Sequence, residues 1–240
     1  MVNNRIYEVF SRPPRELVMK FAGIPVPNIA DEMNRLSCMD AGIRPWNCRP
    51  FVGVALTVQS VANDNLFFHK AISMAHNGDV IVVNGEGSLQ HAMCGEFMYR
   101  GALARGVEAF IVDGAIRDLA ALENMDISVY ARGVQPAGPY KNGPGAINVP
   151  VTVGGVTVEP GDILVGDMDG VVVIKPEDAE EIAVRARKKY EDEQRTLGKP
   201  VPVRPAWTYV PDDAPPGPCF LDDVLLEKGV EMVHGRRCPK

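Results

Sequence analysis

Cysteine is scarce in this 240-residue chain and follows no pattern. The five are Cys38, Cys48, Cys94, Cys219 and Cys238, an odd number with no CxxC pair. That argues against a disulfide framework and against a thiolate zinc site. Histidine is scarcer still. His69, His76, His91 and His234 show no HxH or HExxH spacing, so a histidine metal centre has no support and oxygen ligands are the natural expectation. A basic excess is also missing. The net charge is -6 and the pI about 5.3, which argues against a partner held by its phosphate backbone, so no nucleic acid is expected. No apolar run approaches the ~18 residues that would suggest a bilayer span. The opening stretch MVNNRIYEVFSRPPREL lacks the apolar centre of a signal peptide. No membrane association and a cytoplasmic location are therefore expected.

What the chain does have is ordinary globular material. Hydrophobic residues make up 46% and charged residues 23%, enough for one sizeable core. An N-terminal helix is expected within residues 1–22, opened by Pro13-Pro14 and carrying Leu17, Val18 and Phe21 on one face. Asn28 is expected to cap a second helix bearing Ile29, Met33 and Leu36, with Asp31 and Glu32 in its first turn. Residues 51–58 read as a strand, 64–76 as a helix, and Val80–Val83 as a short strand covered on both faces. The loop Asn84–Ser88 is glycine-rich but is neither a P-loop nor a GxGxxG; it reads as the mouth of a pocket that could cradle an anion.

The most informative stretch is Gly95–Leu122, GEFMYRGALARGVEAFIVDGAIRDLAAL. It reads as a helix to about Gly106, with Phe97, Ala102 and Leu103 as packing residues, then a buried strand Ala109–Val112, then a turn carrying Arg117-Asp118. Strand, helix, strand implies a right-handed crossover between parallel strands, which would turn the 84–88 loop and the Arg117-Asp118 turn toward one crevice. An arginine can clamp a carboxylate with two hydrogen bonds, and a neighbouring aspartate can hold a hard cation. The same dipeptide can also be a self-satisfied ion pair. Orphan amides at the start of the Gly95 helix, those of Phe97 and Met98, can meet an anion. Cys94 is read as a small buried thiol before a nucleophile.

From Ile127 onward β-branched runs dominate. Hairpins are expected around Gly154-Gly155 and Asp169-Gly170. A long helix follows Lys175-Pro176-Glu177-Asp178 to about Leu197, its second half mostly charged and either solvated or laid on a neighbouring subunit. After Gly198 the chain becomes proline-rich, and an extended arm over 199–240 is expected beside a single domain over 1–198.

Three stretches together resemble one family. They are IPVPNIADEM; Gly95-Glu96 with GVEAFIVDGAIRD; and VPVTVGGVTVEPGDILVGDMDGVVVIKPEDAEEI. The combination is similar to the family shared by the 4-hydroxy-4-methyl-2-oxoglutarate / 4-carboxy-4-hydroxy-2-oxoadipate aldolases and the regulators of ribonuclease activity A. The resemblance spans roughly 25–197 and implies an α/β fold of the swivelling β/β/α type with a mixed sheet. It also implies a homotrimer or homohexamer with sites between subunits, and a divalent-metal-dependent pyruvate aldolase without a Schiff base, with oxaloacetate decarboxylation as a related activity. By that resemblance Asp118 holds Mg²⁺ or Mn²⁺ and Arg117 contacts the 2-keto acid substrate. Gly95 and the amides of Phe97 and Met98 receive the pyruvyl carboxylate. Glu96 stands where the aldolases have aspartate. Asp31 matches a glutamate from a neighbouring subunit, and Glu193 is aligned with a further acid near the metal. One position departs. The aldolase signature has an acid three residues after Asp118, and here that residue is Ala121. The ribonuclease regulators lack that acid too, which leaves a non-catalytic ribonuclease inhibitor as the alternative.

Overall fold

The computed structural model describes residues 4–47 and 49–198. In chain order the elements are β1 (Arg5–Ile6), α1 (Arg15–Val18), a 3₁₀ turn (Met19–Phe21), α2 (Val26–Glu32), β2 (Arg44–Pro45) and β3 (Phe51–Ser60). Next come α3 (Leu66–Met74), β4 (Asp79–Asn84), β5 (Ala92–Cys94), α4 (Glu96–Leu103), β6 (Ala109–Ile116) and α5 (Leu119–Leu122). The rest are β7 (Ser128–Val134), β8 (Gly145–Ile147), β9 (Val151–Val153), β10 (Val156–Val158), β11 (Ile163–Asp167), β12 (Gly170–Ile174) and α6 (Ala179–Leu197).

The main sheet is mixed, in the order β1-β8-β3-β4-β6-β7-β2. Its centre, β3-β4-β6-β7, is parallel. β8 and β11 run antiparallel to different parts of β3, and β12 pairs with β11. The continuous apolar run of β4 follows from its two covered faces. Ile81 and Val83 meet Phe68, Tyr99 and Phe110 on the helix side, while Val80 and Val82 meet Val151, Val153 and Val158 of the β9–β10 hairpin. A third cluster packs β11 and β12 against Phe21, Ile29, Ile182 and Ala186. Each large side chain so buried contributes about 1.5–3 kcal/mol of transfer free energy. This is the mixed α/β architecture expected, and both hairpins form where their glycines sit. The 199–240 arm lies outside the described residues. Among the described residues no helix is long and apolar enough to cross a membrane.

Several boundaries differ from the sequence reading for physical reasons. The N-terminal helix shrinks to a single α-turn and a 3₁₀ turn, because residues before Pro14 run extended: Arg5–Ile6 pair with β8, and Arg12 clamps buried Asp79 with two hydrogen bonds of 2.8–2.9 Å. Asn28 is not a cap. Pro25 starts α2, with Pro27 in its first turn, and Asn28 is buried with Nδ2 donating to Glu193 at 2.6 Å. Asp31 and Glu32 consequently fall at the end of the helix, where its dipole disfavours carboxylates. Basic side chains of α6 compensate: Lys189 pairs with Asp31 at 2.5 Å and Arg185 with Glu32 at 3.6 Å. The charged half of α6 therefore partly serves α2. Leu36 lies beyond the helix and is exposed. Phe97, expected to pack, is 85% exposed, and the buried face of α4 is Met98, Tyr99 and Ala102.

Candidate functional site

The strand carrying the key turn is longer than its apolar run. β6 continues through Asp113-Gly114 to Ile116, because β5 and β7 both pair with its last residues. Arg117 N–H then donates to Cys94 O at 3.0 Å, which brings the end of β6 against the end of β5. Gly95 follows β5 directly, so the start of α4 meets the Arg117-Asp118 turn.

Asp118 adopts a left-handed conformation, φ 62° and ψ 43°, a region that aspartate tolerates better than most residues. Its Oδ2 thereby faces back to α4 and accepts the Glu96 amide at 3.0 Å, with Arg117 Nε 3.6 Å from the same oxygen. Oδ1 has no hydrogen-bond partner among the described residues. Arg117 Nη1 reaches Pro136 O at only 3.5 Å, so the guanidinium is loosely held and half-exposed. Below it, the hydroxyl of fully buried Tyr99 donates to Arg117 O at 2.9 Å. Of the two amides expected to meet an anion, Met98 N–H is taken by Gly95 O at 2.9 Å, while Phe97 N–H has no partner among the described residues.

These groups line a cavity of about 250 Å³: Gly95, Phe97, Met98, Arg117 and Asp118, with Cys94 beside them. Four lining residues had no site role in the sequence reading. Asn65 immediately precedes α3 and donates from Nδ2 to Met93 O at 2.8 Å, His69 lies one turn into the helix, and Pro139 and Lys141 belong to the loop before β8. Burial, and then the charge of Lys141, push the His69 pKa down, so its imidazole is neutral at neutral pH. Arg117 and Lys141 give the cavity two cations. Burial pushes the Cys94 thiol up to about 12, which leaves it protonated and a poor nucleophile.

Other expected residues lie elsewhere. Glu96 is bound to Arg100 one turn on, at 2.7–2.8 Å, and does not line the cavity. Asp31 and Glu193 come together on α2 and α6 around Lys189, whose hydrogen bond holds the Asp31 carboxyl below its usual range. That cluster borders an open depression of about 810 Å³ along α6, lined by Glu32, Arg185, Lys189 and Glu193 among others. The 84–88 loop is not an anion cradle. Gly85 and Gly87 amides both donate to Asp113 O, Glu86 N–H to Asn84 Oδ1, and the loop does not line the Arg117 cavity. β6 carries the turn well past Asp113, so loop and turn do not share a crevice within the chain.

Among the described residues no group of three or more His, Cys, Asp or Glu side chains is gathered for a metal ion. Magnesium does not require one, since it keeps several waters and takes one or two carboxylates. The open Oδ1 of half-exposed Asp118 fits that mode.

A family model described as RraA-like, Aldolase/RraA, matches residues 26–173. The chain belongs to this RraA-like family. A relative from Halalkalibacterium halodurans, with the provisional name 4-hydroxy-4-methyl-2-oxoglutarate aldolase, is 39% identical over 75% of this chain and 86% of its own length. The RNA-processing inhibitor RraA from Thermus thermophilis is similar at 30% identity and TM-score 0.59, covering 62% of this chain and 92% of that one. Streptomyces coelicolor RraAS2, titled an unusual member of the RNase ES inhibitor RraA family, gives 26% identity and TM-score 0.71 over 79% and 99% of the two chains. RraA-like proteins thus include both aldolase-named members and ribonuclease regulators. Ala121, the position that departs from the aldolase pattern, packs against the core beside buried Leu122 in this RraA-like chain.

Proposed function

We propose that this chain is a divalent-metal-dependent lyase that cleaves 4-hydroxy-2-keto diacids of the 4-hydroxy-4-methyl-2-oxoglutarate type to pyruvate, and decarboxylates oxaloacetate. The observation that carries the reading is the meeting of Arg117, the open oxygen of Asp118 and the free Phe97 amide in one cavity. Asp118 would hold Mg²⁺ or Mn²⁺, with water filling the remaining positions, and the cation would supply Lewis-acid polarisation of the 2-keto oxygen.

The chain's own residues supply the rest. The Phe97 amide and the start of α4 bind the carboxylate next to the keto group. Arg117 neutralises that carboxylate and the negative charge that develops on the keto oxygen. In the retro-aldol step a base takes the C4 hydroxyl proton, the C3–C4 bond breaks, and its electron pair delocalises toward the keto oxygen. Protonation at C3 then gives pyruvate. The acidic candidates for proton transfer are Glu96, which would have to leave Arg100 and turn toward the adjoining cavity, and Asp31, reaching the site from a second copy in a homotrimer or homohexamer. Lys189 keeps Asp31 ionised but makes it a weaker base, so it accepts a proton only once that contact loosens. Decarboxylation of oxaloacetate needs no hydroxyl base, so Ala121 affects it less than the aldol cleavage.

Pyruvate release from 4-hydroxy-4-methyl-2-oxoglutarate and from oxaloacetate, with Mg²⁺ or Mn²⁺ and again with a chelator, tests the reading. Metal-dependent pyruvate from either substrate supports it, and none from both overturns it.

One observation favours a second reading. Ala121 is packed where the aldolases carry an acid, and the Thermus relative is an RNA-processing inhibitor. A regulator would bind and inhibit a ribonuclease at micromolar concentration with no metal requirement; lack of binding removes this alternative.

A further inference from the structure

The loop before β8 brings Pro139 and Lys141 to the cavity, yet it has no regular secondary structure of its own beyond a single bridge between Asp64 and Tyr140. What holds it is Asp64, a carboxylate 3% exposed that the proposed chemistry does not use. Asp64 Oδ2 accepts the amides of Asn142 at 2.5 Å and Gly143 at 3.0 Å, while Oδ1 accepts the Leu66 amide at 2.9 Å. The backbone continues the same joint: Asn65 N–H donates to Tyr140 O at 3.0 Å, and Tyr140 N–H to Asn63 O at 2.8 Å. Among the described residues no cation pairs with Asp64, so its charge is met by backbone amides alone. Such charge-assisted bonds are the stronger kind, and a buried carboxylate loses much if they go. One side chain thus joins the start of α3, which carries Asn65 and His69, to the segment that carries Lys141.

We infer that Asp64 is a positioning residue that latches the 139–143 segment onto the start of α3 and so sets Lys141 to receive the second carboxylate of a diacid whose keto-acid end sits at Arg117. The inference rests on the function proposed above. A diacid is a sensible occupant, because the cavity holds two cations and the arginine is committed to one end. Asp64 touches no substrate. Its effect passes through Lys141.

The test uses full-length Asp64→Ala, Asp64→Asn, Lys141→Met and the Asp64→Ala/Lys141→Met double variant. Two readouts are taken, amide hydrogen exchange and steady-state pyruvate release. Asp64→Ala removes both acceptor oxygens and Asp64→Asn keeps one, so the Asn142 and Gly143 amides should exchange at least about tenfold faster in the first and less so in the second, with β6 unchanged. KM for 4-hydroxy-4-methyl-2-oxoglutarate should rise several-fold in Asp64→Ala with a smaller change in kcat. The rise should vanish in the Lys141→Met background. Wild-type exchange at 142–143 in Asp64→Ala overturns the latch. Effects on KM that multiply regardless of Lys141 overturn its link to the diacid. If neither Asp64 variant folds, Asp64 is a folding residue and the inference fails. If the wild type releases no pyruvate, the functional reading fails instead, and the exchange rates still decide the latch.

Discussion

Asp118 Oδ2 accepts the Glu96 amide at 3.0 Å, so one carboxylate caps α4 while its second oxygen stays open to the cavity. The two oxygens therefore have separate duties. Asp118→Ala removes both, and pyruvate release should fall roughly a hundredfold to a thousandfold together with any response to added Mg²⁺ or Mn²⁺. Asp118→Asn keeps a carbonyl oxygen for the cap but lacks the charge that holds a cation. It should melt near the wild-type temperature and remain inactive. Activity that survives in Asp118→Ala with its metal requirement intact would remove Asp118 as the ligand.

Arg117 is held by a long 3.5 Å contact to Pro136 O and lies 3.6 Å from Asp118, so most of its donors are free for a ligand. Arg117→Lys keeps the charge and loses the planar fork. Turnover should drop by about one to two orders of magnitude, the cost typical of a misplaced clamp. Steady-state kinetics on both keto acids check this, and equal kcat/KM in variant and wild type would count against a bidentate role.

Gly95 separates conformation from space. Its φ of -162° is extended backbone open to any residue, so alanine meets no backbone strain. A Cβ there would instead run into Asp118 Oδ2 and lie 2.9 Å from Arg117 Cγ, displacing the two side chains that matter. Gly95→Ala should change stability by no more than about 1 kcal/mol, since the displaced groups are half-exposed, while activity falls at least tenfold. Thermal unfolding and pyruvate release, measured side by side, distinguish this from a folding defect.

How far the sequence could be read depended on the range of the interactions. β4 and β6 were legible through their apolar runs Val80–Val83 and Ala109–Val112, covered on both faces, and the hairpins because Gly154-Gly155 and Asp169-Gly170 tighten the turn locally. The Arg117-Asp118 turn and the Gly95 helix start were legible because they are close in sequence and follow apolar strands. Asn65, His69 and Lys141 were not, because the contacts that bring their two segments together, the Asp64 joint among them, span more than seventy residues of sequence. Asp31 was misplaced within α2 because Pro25, and not the polar Asn28, starts the helix, and the lysine that compensates comes from α6. Phe97 read as core by composition alone, although the helix turns it outward.

The buried pair beneath the site makes a last prediction, about alkaline stability. Burial pushes the Cys94 thiol from an ordinary value of 9.0 up to about 12, and burial likewise raises the Tyr99 hydroxyl above its ordinary 10.0. Both groups stay protonated in the folded chain while the unfolded chain releases their protons. The unfolded state then binds fewer protons, so stability falls as pH rises. Cys94 contributes nothing to this slope below about pH 9 and up to about 1.4 kcal/mol per pH unit between 9 and 12. Tyr99 adds to it above about pH 10. Urea midpoints should therefore be flat in this respect from pH 7 to 8 and decline steeply from pH 9 to 11. Cys94→Ala lowers stability at pH 7 through its lost packing, yet it should show a shallower alkaline decline, because the first of the two titrations is gone. An unchanged slope in that variant would mean the thiol ionises in the folded chain as freely as in the unfolded one, and then Cys94 would again be a candidate nucleophile.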